Sequence, residues 1–437
     1  MTDRRQILVL GGGFGGVYAA LELERVLGGR PDAEVTLVTR ENYLLFTPML
    51  HEVAAGELEP STIINPLRKL LTRTDIFLGD VERIDTTARR VRVTHGFDGH
   101  GHELPYDHLV LALGSVTNFF GLPGVATHAH TMKSIDDALA LRNRTIRLLE
   151  EASSECAAGQ RQPLLTFVVA GGGFAGVETM GGLNDFVREL LPFYPTLRPD
   201  GIRMVLVTPD ELILPELGAS LGRYAQAKLA ARGVEILTQA RVAAYRDRVV
   251  ELADGRTIPA NTLVWTAGTA PNPLLATLEV GKERGRVVTD EGLSVPGATA
   301  VWALGDCACV PNSVTKGFHP PTAQHAIRQA RTLAHNLVAA LDGRPPRRFR
   351  FSTLGQLAAI GRRTGVANVL GINFSGFAAW LLWRTIYLSK LPRFEKKLRV
   401  ALDWTLDLAF AKDFASFAST PRPLEAPVTK SSRTATG

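Results

Sequence analysis

Residues 164–183, LLTFVVAGGGFAGVETMGGL, decide the fold. The apolar run at 166–170 suits a buried strand. It ends in Gly171-Gly172-Gly173-Phe174-Ala175-Gly176, and a helical stretch follows. Gly171, Gly173 and Gly176 satisfy G-x-G-x-x-G in the strand–turn–helix setting that a dinucleotide fingerprint requires. The first glycine permits the tight turn, the second lets backbone approach a pyrophosphate, and the third lets the helix pack closely on the strand. The helix N-terminus then turns free N–H groups and the positive end of its dipole towards phosphate.

The pattern recurs near the start of the chain, where 6–10 reads as a strand and Gly11-Gly12-Gly13-Phe14-Gly15-Gly16 as the loop. A single match is weak, because glycine-rich turns also close ordinary strand–helix units. Two near-identical copies form an internal repeat and predict two dinucleotide sites on an α/β framework of Rossmann-like units. In each copy the second strand, 34–38 or 203–207, lacks the Asp or Glu that commonly holds a ribose. Thr39 and Arg40 follow the first, with Glu41 as a substitute acid; Arg40 suits either an adenine face or an exposed turn. Thr208 follows the second, and no Arg comes at once to favour a 2′-phosphate.

Other strand ends carry small or acidic residues. The strand 109–113 ends at Gly114-Ser115, and the strand 262–265 at Thr266-Ala267-Gly268; both admit a close cofactor or make plain turns. The strand 301–304 ends at Gly305-Asp306, where the carboxylate suits a sugar-like chain or a helix N-cap. Glu178 lies just inside the second loop's helix, where the dipole favours a carboxylate. Pro48 marks a turn, and His51 reads as a hydrogen-bonded structural residue. Gln324 and His325 open a helix running to 341, with His325 in a solvated or capping role.

Composition narrows the class. With 437 residues, 45% hydrophobic and 21% charged, the chain suits two or three globular domains. A formal charge of +6 is mildly basic, and no nucleic-acid partner is expected. Cys156, Cys307 and Cys309 make no disulfide framework and favour a reducing compartment. The histidine-rich stretch 95–102 reads as a solvated hairpin loop, so no metal is expected. The first strand starts by Gln6, so no apolar leader is expected. Residues 153–162 read as a linker.

The blocks VLGGGFGG, FTPMLHEVAAGEL, LALGSVTNFFGLPG, VVAGGGFAGVE, WTAGTAPNP, ALGDCA and PPTAQHA together resemble type II NADH dehydrogenases, the non-pumping NADH:quinone oxidoreductases. The resemblance spans about 6–361. It implies FAD in the first site, held by Gly11, Gly12, Gly13, Phe14, Gly15, Gly16, Thr39, Arg40, Pro48, Val81, Gly114, Asp306 and Ala323. It implies NAD(P)H, with NADH preferred, in the second, held by Gly171, Gly173, Phe174, Ala175, Gly176, Thr208 and Gly268. Glu178 would stand where nicotinamide and flavin meet, and Gln324 would line a quinone pocket; these are the two candidate catalytic residues. An FAD domain split by the nicotinamide domain is implied, with segments 1–133 and 285–350 around 134–284.

The C-terminal region, 351–418, carries two helical patterns. Residues 374–391 hold Phe377, Trp380, Leu381, Trp383, Leu388 and Leu391, with Arg384 near the centre; a membrane span would bury that charge at high cost. Residues 394–417 hold Leu398, Leu402, Trp404, Leu408 and Phe410. Lys390, Arg393, Lys396, Lys397 and Arg399 lie between. The pattern predicts helices lying in the interface of an anionic leaflet, peripheral on the cytoplasmic face; a helical pair packed on the core or forming a homodimer is the alternative. Residues 419–437 read as a disordered tail. Two other functions stay open: a sulfide:quinone-type or other-acceptor flavin reductase, which needs a cysteine pair at the flavin, and a non-catalytic NAD(P)H-binding sensor.

Overall fold

Each glycine-loop unit grows into its own parallel sheet. In the computed structural model, which describes residues 4–406, 410, 412 and 414–416, the first sheet runs in the order Val301–Ala303, His108–Leu111, Arg5–Leu10, Ala33–Thr39, Asp75–Leu78. All four pairings are parallel. The strand Val301–Ala303 thus leaves the second half of the chain to sit beside His108–Leu111. The second sheet runs Val234–Leu237, Arg203–Val207, Thr166–Ala170, Thr262–Trp265, again all parallel. Strands covered on both faces must be apolar throughout. Ile7–Leu10 and Thr166–Ala170 are accordingly buried along their length.

The two loops are built alike. Gly11 and Gly171 hold φ of +114° and +123°, a region that excludes side chains. A Cβ at Gly16 would collide with the Gly11 carbonyl, and one at Gly176 with the Gly171 carbonyl. Gly12 lies on Thr39 and Gly172 on Thr208, so the two threonines that replace the usual acids pack beneath their loops. The helices Phe14–Leu27 and Phe174–Leu190 start there, with Gly13 and Gly173 as N-caps and no side-chain cap.

Local readings need correction at four places. The stretch 153–162 is not a free linker: Ala158–Leu164 is helical, with Pro163 in its last turn. The histidine-rich stretch is not a loop. His95 ends the strand Arg90–His95, and His100 and His102 lie in the paired strand His100–Pro105, their rings clustered. Residues 77–84, which read as a single strand, divide into Asp75–Leu78 and Asp80–Asp85, which belong to different sheets. The C-terminal region opens with an antiparallel sheet, Gly355–Ala359, Gly365–Val369 and Ile372–Ser375, before its helices Gly376–Lys390 and Phe394–Leu406.

This C-terminal unit is locked onto the nucleotide-binding body. The helix Phe174–Leu190 meets it at Gly181, where a Cβ would come within 2.7 Å of the Ile360 backbone. The Arg232 guanidinium donates to the Ile360 carbonyl at 2.8 Å and pairs with Asp185. Arg384, the charge that argued against a span, is buried against protein. It lies 3.9 Å from Glu52 and 3.8 Å from Glu57, between the rings of Trp380 and Trp404.

The two helices are amphipathic, with one face on the protein and the other outward. Trp383, Leu391 and Trp404 are buried, and Lys396 turns inward onto the Ser61 carbonyl. Outward lie Phe377, Leu381, Phe394, Leu398, Leu402, Leu406 and Phe410, joined by Leu370 and Ile372 of the preceding hairpin. Among the described residues no helix is long and apolar enough to cross a membrane. Leu408 and the tail assigned to 419–437 lie outside the described residues.

Gly181→Val would push the helix off the Ile360 backbone. Overpacking of this kind costs roughly 1–3 kcal/mol. A lowered melting temperature and easier proteolytic release of the C-terminal unit are expected; unchanged melting would show that the contact carries no weight.

Candidate active site

Three cavities share walls and form one groove between the two sheets and the C-terminal unit. The cavity over the first loop, about 340 Å³, is lined by Gly11, Gly12, Gly13, Phe14, Thr39, Arg40, Val81 and Gly114, with Glu41 beside them. Around Gly13 there is open space: a Cβ built there meets nothing within 4 Å. A smaller cavity, about 170 Å³, continues past Gly15, Gly114, Asp306 and Ala323. The largest, about 510 Å³, holds Pro48, Phe174, Ala175, Glu178, Gly268, Asp306 and Gln324. Thr47 lines all three, and Lys133 lines the first and the last.

The sequence candidates therefore converge, with a division of labour. Gly16, Gly171, Gly176 and Thr208 are not wall residues; they are packed behind or under the loops and shape them. Gly173 caps its helix, whose next two residues reach the large cavity. Arg40 is exposed and paired with Asp80 at the rim. Asp306 accepts from Ser115 Oγ at 3.1 Å; burial raises its pKa, opposed by that bond and by Lys133. Gln324 donates through Nε2 to the Gly355 carbonyl at 2.8 Å and leaves Oε1 buried without a partner among the described residues. His325 is structural: it is buried, bonded to Thr322 and stacked near His319 and Phe351.

Glu178 is the most perturbed group in the groove. Its Oε1 accepts from the Ala359 amide at 3.2 Å and from Trp383 Nε1 at 3.0 Å. Its Oε2 lies 3.9 Å from His51 Nδ1. Burial pushes the carboxyl up to about 8, and the two donors only partly offset this. His51 is driven down to about 4, first by burial and also by Arg384. Near neutral pH the pair is thus an uncharged acid beside an uncharged imidazole. Tyr387, also on the cavity wall, is held well above the usual phenol range by burial and by Glu178.

Sequence reasoning missed part of this constellation. The helical pattern of 374–391 does not single out Trp383, yet its indole N–H is turned in to Glu178. His51, expected to be structural, lines the large cavity. Lys133, Tyr387 and Leu357 gave no local signal, since each reaches the groove only through tertiary contacts. Cys307 and Cys309 are buried, with their Sγ atoms on backbone carbonyls, and no cysteine lines these three cavities. This removes the support for a sulfide-type cysteine pair.

Comparison with known proteins agrees with this geometry. Residues 5–330 match the pyridine nucleotide-disulphide oxidoreductase family, and residues 354–413 match the NDH2 C-terminal domain. The type II NADH:quinone oxidoreductase Ndh of Mycobacterium tuberculosis is 34% identical over 92% of this chain and 88% of its own. The chain belongs to the type II NADH:quinone oxidoreductase family.

Another relative, demethylphylloquinone reductase NdbB of Synechocystis, is 32% identical over 92% of this chain and 96% of its own. The fold is that of NDH2 from Plasmodium falciparum, solved in complex with NADH. The TM-score is 0.87 at 20% identity, over 94% of this chain and 100% of that one. In this type II oxidoreductase the C-terminal family domain is the unit that supplies Trp383, Tyr387 and the Ala359 amide to the groove.

The raised pKa of Glu178 has a stability consequence. Between the ordinary carboxyl value of 4.5 and about 8 the folded protein holds a proton that the unfolded chain has lost. Stability therefore falls as pH rises through that window, at about 1.4 kcal/mol per unit of pKa difference. Melting curves of the parent and Glu178→Gln should run together near pH 5, with the variant more stable above pH 8. Equal separation at both pH values would show that Glu178 is ionised throughout.

Proposed function

We propose that the protein transfers a hydride from NADH to FAD and then two electrons to a membrane quinone, without pumping protons. The observation that carries this reading is the single large cavity. There the start of the second loop's helix, the Pro48 and Asp306 walls continuous with the first loop, and the C-terminal unit meet around one buried acid.

The residues present fit an extended dinucleotide over the first loop. Gly13 leaves open space above an uncapped helix start, and no acid lies in that helix's first turn. Gly11 to Gly16 would cradle the pyrophosphate, Thr39 and Arg40 would flank the adenosine end, and Val81 and Gly114 would form walls. Asp306, half-buried and bonded to Ser115, would hold a ribityl hydroxyl, with Pro48 and Ala323 beside the ring system. FAD so bound supplies the redox chemistry, accepting a hydride and passing electrons on.

The remaining steps belong to the chain. Gly171, Gly176 and Thr208 shape the second loop from behind, and Gly173, Phe174, Ala175 and Gly268 would seat NADH. Its nicotinamide would then enter the large cavity. No Arg follows Thr208 in place of the second unit's missing acid, which favours NADH over NADPH. Glu178, kept protonated by burial, would hold a proton ready at the cavity wall. Gln324, fixed by its bond to Gly355, would line the quinone end beside Leu357 and Tyr387.

Two structural assignments go with this reading. The first sheet, completed by Val301–Ala303, supports an FAD domain in segments 1–133 and 285–350, with the nicotinamide domain at 134–284 between them and the C-terminal region at 351–418. The outward apolar side chains of the C-terminal helices, with Lys390 and Arg399 exposed near them, suit a monotopic seat on an anionic leaflet at the cytoplasmic face. A homodimer would set two such faces side by side.

An anaerobic titration tests the enzyme reading. NADH should bleach the flavin quickly, NADPH slowly, and a soluble quinone should restore the colour. Bleaching without recovery would move the acceptor elsewhere, and no bleaching would leave a binding protein. Co-sedimentation tests the seat. The full chain should pellet with anionic vesicles, and a Phe394→Ser/Leu398→Ser/Leu402→Ser variant should stay in solution. Pelleting of that variant would overturn the membrane assignment.

A further inference from the structure

The two oxygens of Glu178 are not equivalent. Oε1 receives two N–H donors, one from the Ala359 backbone and one from the Trp383 indole. Among the described residues no donor is directed at Oε2, whose polar neighbour is His51 Nδ1 at 3.9 Å. An oxygen that accepts two hydrogen bonds is the carbonyl oxygen of a neutral acid, because the acidic proton cannot occupy the same side as the donors. In Glu178 the proton therefore belongs on Oε2.

Trp383 is well held for this task. Its ring is fully buried, 5.4 Å from His51 and 4.9 Å from Tyr387 by ring centroids. The next residue, Arg384, anchors the same helix to Glu52 and Glu57. Trp404 packs 6.4 Å from Trp383 and donates its own N–H to Glu52 at 3.3 Å. The indole thus has little freedom to leave the carboxyl. Trp383 does not itself line the large cavity, so any effect on the reaction passes through Glu178.

We infer that Trp383 is a positioning residue: by donating to Oε1 it confines the acidic proton of Glu178 to Oε2, the oxygen that neighbours His51. This rests on the reading of Glu178 as the proton-bearing group of the proposed reaction. When the quinone has taken its two electrons, the Oε2–H bond breaks and an O–H bond forms on one quinone oxygen, while the other oxygen takes its proton from water. The carboxylate left behind keeps both N–H donors on Oε1 and regains a proton from water. A hydrogen bond to the charged form favours it, so Trp383 also keeps Glu178 from becoming too weak an acid to give up its proton.

The test uses the FAD-loaded full chain, Trp383→Phe, and Glu178→Gln as reference. Phenylalanine keeps a ring against His51 and Tyr387, and removes the donor together with part of the indole's volume. Flavin content and the rate of bleaching by NADH should match the parent. The turnover number with quinone at pH 7 should fall several-fold, and the alkaline limb of its pH profile should move up by about one pH unit. Infrared difference spectra should show the protonated carboxyl band, absent in Glu178→Gln, shifted to higher wavenumber in Trp383→Phe as its C=O loses a donor. A band and a pH limb unmoved in Trp383→Phe, but lost in Glu178→Gln, would overturn the inference and leave the role of Glu178 intact. A pH limb that survives in Glu178→Gln would instead remove Glu178 from the reaction. If Trp383→Phe loses its flavin, the infrared comparison is made on Trp383→His, whose ring N–H can restore the band position; no restoration would also overturn the inference.

Discussion

Two steric contacts hold the arrangement together. At Gly16 the first helix lies so close to the carbonyl of Gly11 that no Cβ fits, and at Gly176 the second helix repeats this over Gly171. Because each helix starts directly above its strand, its uncapped N–H groups open into space instead of protein. Every cavity of the groove begins from one of these two starts. A single methyl at either position would lift a helix, displace its loop and separate the walls that now meet around Glu178.

On that framework the C-terminal unit acts as the third wall, not as an appendage. Its sheet reaches the helix Phe174–Leu190 at Gly181, again where only glycine allows the backbones to approach. Its first helix brings Trp383 and Tyr387 to the groove, while Phe377 and Leu381 face outward from the same helix. Arg384 supplies the counterpart in charge, sandwiched between two indoles and opposite two acids. A buried cation of this kind is tolerated only with partners in place, so it also specifies how the helix is seated.

The electrostatics of the groove follow from burial more than from charge pairing. Glu178 and His51 lie within 4 Å, yet desolvation drives the acid up and the imidazole down, so both are neutral. A pair chosen by Coulomb attraction alone would be an ion pair. Here the low-dielectric setting decides, and it leaves a proton on the acid at physiological pH.

The sequence by itself determined the two Rossmann-like units, the repeat between them and the two glycine loops from which the groove starts. Those features rest on local rules: glycine where a turn or a close approach forbids a side chain, and apolar runs where a strand is covered on both faces. It also carried the family, through short blocks spread from 6 to 361. Only the tertiary structure decided which way the C-terminal helices face. Trp383 and Leu381 are both large apolar residues of one helix, and a helical stripe does not say which of them meets protein. That choice depends on Glu52, Glu57 and Glu178, which lie more than 200 residues earlier and become neighbours only after the sheets have formed. The histidine cluster and the helix Ala158–Leu164 were illegible for the same reason: strand pairing and packing override local composition when long-range partners are available.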